Sequence, residues 1–183
     1  MEWKSGHDSR GTNCRLYSKH TCSACVFKTY EGNGYQRDFM GVPEVYIMDM
    51  YNKYIYPRDE EAKRAIRRKI ELGNKVEDLE YMLKLRKNLK GALNEFKPDI
   101  LVYNAGTDIL DSDPLGHMRI SEVGIIKRDE FVFEICKEQE IPVVMLTSGG
   151  YLRKTARIIA DSIMNLKNKG LIGCEPINKL EKF

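Results

Sequence analysis

Hydrophobic positions along the chain fall into short blocks separated by polar and glycine-containing stretches. Glu44–Met50 (EVYIMDM) is rich in strand formers and predicts a strand. Asp59–Leu72 (DEEAKRAIRRKIEL) predicts a helix. Asp59 stands at its cap, Glu60 and Glu61 suit the positive N-terminal end, and Gly73-Asn74 stops it. Its basic cluster, Arg64 to Lys69, reads as a solvated helix face. Val76–Phe96 predicts a second helix with a broad apolar stripe of Leu79, Met82, Leu83, Leu85, Leu89 and Leu93. Lys97-Pro98 then breaks the chain. Ile100–Tyr103 (ILVY) and Ile141–Leu146 (IPVVML) are continuous apolar runs, the signature of strands buried on both faces. Between them lie a polar loop, Asn104–Ile120, and a helix, Ser121–Glu140. A tight connection, Thr147–Gly150, leads into a last helix, Tyr151–Lys167.

Strands alternating with helices predict an α/β fold, an open parallel sheet with flanking helices. In such sheets ligands bind beyond the carboxyl ends of the strands. The loops after Met50, Tyr103 and Thr147 are therefore the places to look for chemistry.

Composition and charge narrow the picture. A chain of 183 residues, 42% hydrophobic, fits one domain at roughly 150 residues per domain. No apolar run reaches the roughly 18 residues of a membrane span, and the polar Met1–Arg10 lacks the apolar stretch of a signal peptide. The net charge of +3 resides in residues 1–28, where five basic residues oppose two acidic ones. The remainder is neutral and lacks the footprint of direct nucleic-acid binding. Residues 1–28 show neither helical nor strand periodicity and read as a poorly ordered arm. Five cysteines in no regular framework point to free thiols in a reducing compartment. Cys22-x-x-Cys25, with Cys14 and His20, has the residue types of a small zinc site but lacks a second close pair.

Two loops carry candidate chemistry. Asp108 stands just past the Ile100–Tyr103 strand, where a carboxylate faces a metal or substrate, or else serves as a turn or cap residue. After Leu146, Gly149 and Gly150 allow close approach of a ligand to the backbone. Tyr151 follows them as an oxyanion-directed phenol or a packing tyrosine.

Together, Tyr103–Gly116 (YNAGTDILDSDPLG), Ser121–Phe131 (SEVGIIKRDEF) and Leu146–Leu166 (LTSGGYLRKTARIIADSIMNL) resemble the zinc-dependent histone deacetylase family, most of all its class IV, the histone deacetylase 11 type. Gly32–Met40 and Val45–Tyr56 extend the resemblance, which runs from about residue 30 to 173 and covers the C-terminal part of the catalytic domain. The resemblance implies an arginase–deacetylase fold lacking its N-terminal strands, which would leave the Ile100–Tyr103 and Ile141–Leu146 strands with exposed apolar surface or an open edge. It divides the chain into an unmatched arm (1–29), a partial domain (30–173) and a tail (174–183). It also implies hydrolysis of acyl-lysine amides, long-chain acyl groups included, on proteins such as histones in nucleus and cytoplasm. The family's chemistry uses zinc-activated water.

The resemblance assigns Asp108 as a zinc ligand, Tyr151 as the oxyanion donor, and Gly149 and Gly150 as glycines flanking the acyl channel. Asp113 matches the aspartate of the Gly-Asp-x-Leu-Gly loop, with Ser112 in place of its first glycine. The other two zinc-ligand positions, an aspartate and a histidine in the family, hold Lys28 and Tyr30. A protonated lysine offers no lone pair, and a tyrosine with a pKa near 10 is a poor ligand. The chain therefore reads as a truncated, catalytically impaired family form. The alternatives are a non-catalytic interaction or regulatory fragment, or an unstable product.

Overall fold

The computed structural model describes residues 23–28, 34–55 and 58–173. Expectations for Cys14, His20, Cys22, Tyr30 and the 174–183 tail lie outside these residues. Five parallel strands form one sheet: β1 (Ala24–Lys28), β2 (Val45–Asn52), β3 (Ile66–Leu72), β4 (Ile100–Gly106) and β5 (Val143–Ser148), in the order β3-β2-β1-β4-β5. The helices are α1 (Gly34–Asp38), α2 (Asp78–Glu95), α3 (Glu122–Glu138) and α4 (Thr155–Asn168). The α/β parallel architecture follows the sequence reading.

Strand order explains how the helices are placed. The chain steps from β1 to β2 to β3 in one direction, then crosses back past β1 to β4 and continues to β5. Right-handed crossovers in opposite directions put their helices on opposite faces. Accordingly, α2, α3 and α4 share a core with Met48, Met50, Leu101 and Tyr103 on one face. The other face holds a smaller cluster, Ile47, Tyr51 and Ile66, packed by Tyr35 of α1 and by Ala65. On α2, Leu85, Leu89 and Leu93 are fully buried, each contributing about 1.5–3 kcal/mol of hydrophobic stabilisation. Leu79 and Leu83, assigned to the same stripe, face solvent instead.

Three expectations need correction. The stretch Asp59–Leu72 is not a helix. Asp59 Oδ1 accepts the Ala62 N–H (3.0 Å) and caps only a 3₁₀ turn, Ala62–Ala65, and β3 begins at Ile66. From Arg68 to Leu72 burial follows a period of two, with Ile70 and Leu72 buried between exposed Lys69 and Glu71, which no helix would give, and the register break after Ile66 puts that residue in the cluster on the opposite face. The charged residues between them suit an edge strand. Lys63, just ahead of the basic cluster, is buried, donates to Glu60 (2.8 Å) and lies 5.1 Å from the Tyr51 ring centroid. Second, the arm expected to lack order contributes β1, the central strand. Its ladders with β2 and β4 on both sides compensate for its brevity. Third, β5 is not buried on both faces. It is a sheet edge, and Val144 and Leu146 are 43% and 47% exposed.

Candidate functional site at the sheet switch point

The strand order reverses between β1 and β4, so the crevice of an open α/β sheet lies beyond Lys28 and Gly106. At this point β4 leads into Thr107 and Asp108, both fully buried. The Thr107 N–H donates to Gly149 O (2.7 Å), and its hydroxyl donates to the same carbonyl (3.0 Å). These bonds stitch the exit of β4 to the exit of β5.

The stitch needs both glycines. A Cβ on Gly149 would sit 2.0 Å from Asp108 Oδ2, so the carboxylate rests against a bare backbone. Gly150 adopts φ +143°, and a Cβ there would meet Thr107 Oγ1 at 2.0 Å. The structure thus brings Asp108, Gly149 and Gly150 together.

Tyr151 joins them through its backbone. Its N–H donates to Asp113 Oδ2 (2.9 Å), whereas Asp113 Oδ1 accepts from the N–H groups of Leu115 (2.9 Å) and Gly116 (3.2 Å). Asp113 therefore folds its own loop and ties it to the β5 exit. Gly116 packs so closely on the Asp108 carbonyl that a Cβ would lie 1.6 Å from that oxygen. From β2, the Asn52 side-chain amide donates to Gly116 O (3.1 Å) and to Asn74 Oδ1 (2.8 Å). Tyr151 precedes α4 rather than starting it, and its side chain is 54% exposed.

A buried polar network sits beneath the loops. Arg128 Nη1 donates to Gly106 O (2.5 Å), and Nε donates to Asp129 Oδ1 (2.9 Å). The same carboxylate accepts from the Tyr103 hydroxyl (2.5 Å) and the Ser162 hydroxyl (2.6 Å). This unites β4, α3 and α4 directly under Thr107–Asp108. Burial raises the pKa of the Tyr103 and Tyr81 phenols. Burial works against the Arg128 charge, but Asp129 together with the Tyr103 and Tyr81 phenols outweighs it and holds the guanidinium charged. Sequence reasoning missed this network, although its signal was present. Arg128 and Asp129 fall on the apolar face of α3 between Ile125 and Val132, where unpaired charges are costly.

At the end of β1, Lys28 pairs in register with Asn104 of β4 and Asp49 of β2. A lysine thus closes the strand on the other side of the switch point. Asp49 is buried and accepts from the Gln36 side-chain amide (2.8 Å). Among the described residues no group of three or more His, Cys, Asp or Glu side chains could hold a metal. A zinc ion takes three or four N, O or S donors, and among the described residues Asp108 brings a single carboxylate, set against Gly149. What the described arrangement does provide is a buried carboxylate, a glycine-lined approach and an exposed phenol at one strand-end cluster.

Residues 29–166 match the histone deacetylase domain family. The chain is 50% identical over 147 residues to histone deacetylase 2 of Arabidopsis thaliana, a match covering 80% of this chain and 38% of that protein. It is 27% identical over 126 residues to an uncharacterized protein of Picosynechococcus, covering 68% of this chain and 40% of the other. The chain thus spans about two fifths of the curated relatives it matches. Its fold is shared with acetylpolyamine aminohydrolase from Burkholderia pseudomallei (TM-score 0.65, 19% identity, 78% of this chain and 44% of that one). It is shared equally with a histone deacetylase homologue solved in complex with SAHA (TM-score 0.65, 21% identity, 84% and 43%). The 50% identity over most of this chain, the matched domain and the shared arginase–deacetylase architecture lead to one conclusion: the chain belongs to the histone deacetylase family.

Proposed function

We propose that this chain is a catalytically impaired member of the family, of class IV type, that retains one half of an acyl-lysine hydrolase site. Asp108, Gly149, Gly150 and Tyr151 occupy the positions of a family metal ligand, the acyl-channel glycines and the oxyanion donor. Lys28 and Tyr30 occupy the other two metal-ligand positions. The observation that carries this reading is the register of β1, which ends at Lys28 beside Asn104 of β4, the strand that leads into Asp108. A protonated lysine in place of an aspartate ligand has no lone pair to give a cation. Without a bound metal, no water is activated for attack on the amide.

The family's substrates are acyl-lysine proteins such as histones, with long acyl chains included for class IV. Its setting is nucleus and cytoplasm. For this chain, the class IV assignment rests on the resemblance carried by Tyr103–Gly116, Ser121–Phe131 and Leu146–Leu166. A non-catalytic role in interaction or regulation, or an unstable product, is the alternative.

Hydrolysis of acetyl- and myristoyl-lysine peptides by the purified chain, with zinc supplied, tests the reading. Unaltered chain and Tyr151→Phe should both give background rates while circular dichroism shows a folded α/β domain. Turnover by the unaltered chain that Tyr151→Phe abolishes would overturn it.

A further inference from the structure

The outward side of α2 carries two kinds of side chain. Leu79, Leu83, Arg86, Lys87 and Lys90 recur at helical spacing and are all exposed, so they line one face of the helix. Leu79 is 75% and Leu83 60% exposed. The first turns of α2 and α3 meet at this end. Asp78 accepts the Ser121 N–H (2.8 Å) and hydroxyl (2.5 Å), and a Cβ on Gly124 would lie 2.4 Å from Asp78 Oδ1. Val123 of α3, 56% exposed, adds a third apolar side chain there. Past Leu83, the Arg86 guanidinium lies 5.0 Å from the Phe131 ring centroid of α3, so the face borders the groove between the two helices. Its charge is unbalanced. Both glutamates of α2 are already held, Glu80 by Lys84 (2.7 Å) and Glu95 by Arg68, while Glu130 and Glu134 of α3 pair with Lys169. Among the described residues, no carboxylate pairs with Arg86, Lys87 or Lys90.

We propose that this face docks an acidic amphipathic helix of a partner protein, laid along the α2–α3 groove. Apolar side chains of the partner meet Leu79, Leu83 and Val123, and its carboxylates meet Arg86, Lys87 and Lys90. An antiparallel course suits both helices, because it puts the partner's carboxylates in its own first turns, where the helix dipole favours them. Charge separates this occupant from the others. A second copy would bring the same cations, Lys87 and Lys90, against themselves or against the leucines. The chain's own flanking segments lack the acidic excess. Residues 1–22 set Lys4, Arg10, Arg15 and Lys19 against Glu2 and Asp8, and in residues 174–183 Lys179 and Lys182 balance Glu175 and Glu181. For an anionic membrane, Glu77 and Glu80 would stand at the level where the leucines insert. This inference does not depend on whether the site binds a metal.

Fluorescence anisotropy tests it with a synthetic helical peptide that carries glutamates in its first turns and leucines at i, i+4 spacing after them. The unaltered chain should bind this peptide, and should not bind the version with lysine in place of each glutamate. Leu79→Ser/Leu83→Ser and Lys87→Glu/Lys90→Glu should each weaken binding about tenfold or more. Urea midpoints should stay unchanged, because all four side chains are exposed. The Lys87→Glu/Lys90→Glu chain should gain binding to the lysine peptide, which loss of folding cannot produce. The proposal fails if the glutamate peptide does not bind, or if it binds both variants as tightly as the unaltered chain. It also fails if sedimentation shows a dimer that Leu79→Ser/Leu83→Ser dissolves, because a second copy would then hold the face. Binding to phosphatidylserine vesicles through these leucines, without binding to the peptide, would overturn it as well.

Discussion

The carboxylate of Asp108 rests against Gly149, in space that any other residue at 149 would fill: a Cβ there would approach Oδ2 to 2.0 Å. The contact joins the exits of β4 and β5 and makes a buried carboxylate depend on a missing methyl group. Gly149→Ala should therefore destabilise the fold by about 1–3 kcal/mol through overpacking. Gly150→Ala should cost at least as much, because it adds a strained φ of +143° to a clash with Thr107. Chemical denaturation of both variants checks this, and half-buried Gly73→Ala, whose Cβ would touch nothing, serves as the control.

The Arg128–Asp129 pair should behave as a buried ion pair whose halves need each other. Arg128→Met alone leaves the Asp129 charge uncompensated and should cost about 3–5 kcal/mol. Arg128→Met combined with Asp129→Leu should cost less than that single change, because no buried charge is then orphaned. A double-mutant cycle by urea unfolding measures the coupling. Equal costs for the single and double variants would show that packing, not charge, dominates here.

Much of the fold was legible in the sequence because its central pieces obey local rules. Ile100–Tyr103 reads as a buried strand and lies in β4. Ser121 caps α3 by accepting the Gly124 N–H (2.9 Å). The Asp108, Gly149 and Gly150 cluster was legible from chemistry-bearing residues at strand ends. What failed were segments decided by long-range partners. The β3 strand is written in good helix formers, and only the neighbouring β2 makes it a strand. Nothing local marks Ala24–Lys28 as central, because its ladders come from β2 and β4. Buried Arg128 and Asp129 carry no local mark, since their partners, Gly106, Tyr103 and Ser162, are far away in sequence.

Ser112 adopts φ +71°, the left-handed region that favours glycine, at the position where the family loop carries glycine. An L-residue there costs about 1–2 kcal/mol, partly offset by glycine's larger unfolded-state entropy of about 0.5–1 kcal/mol. Ser112→Gly should therefore raise stability by up to about 1 kcal/mol. A thermal melt with a matching upward shift checks it.

Cys136 is buried on α3, and burial pushes its thiol up to about 12. The folded state therefore holds its proton at pH values where the unfolded thiol, titrating near 9.0, has lost it. Stability should fall as pH rises from about 9 towards 12, with a slope of at most about 1.4 kcal/mol per pH unit from this group. Cys136→Ala should lower stability at neutral pH but flatten that slope. Unfolding curves from pH 8 to 11 on both proteins decide the matter.

The account turns on whether this chain makes a metal centre. Zinc per chain, measured by elemental analysis after zinc loading and gel filtration, tests that most directly when the unaltered chain is run beside Lys28→Asp/Tyr30→His. The account predicts little zinc on the unaltered chain and a gain towards one equivalent on the double variant, lost again when Asp108→Ala is added. One equivalent on the unaltered chain that Asp108→Ala removes would contradict it.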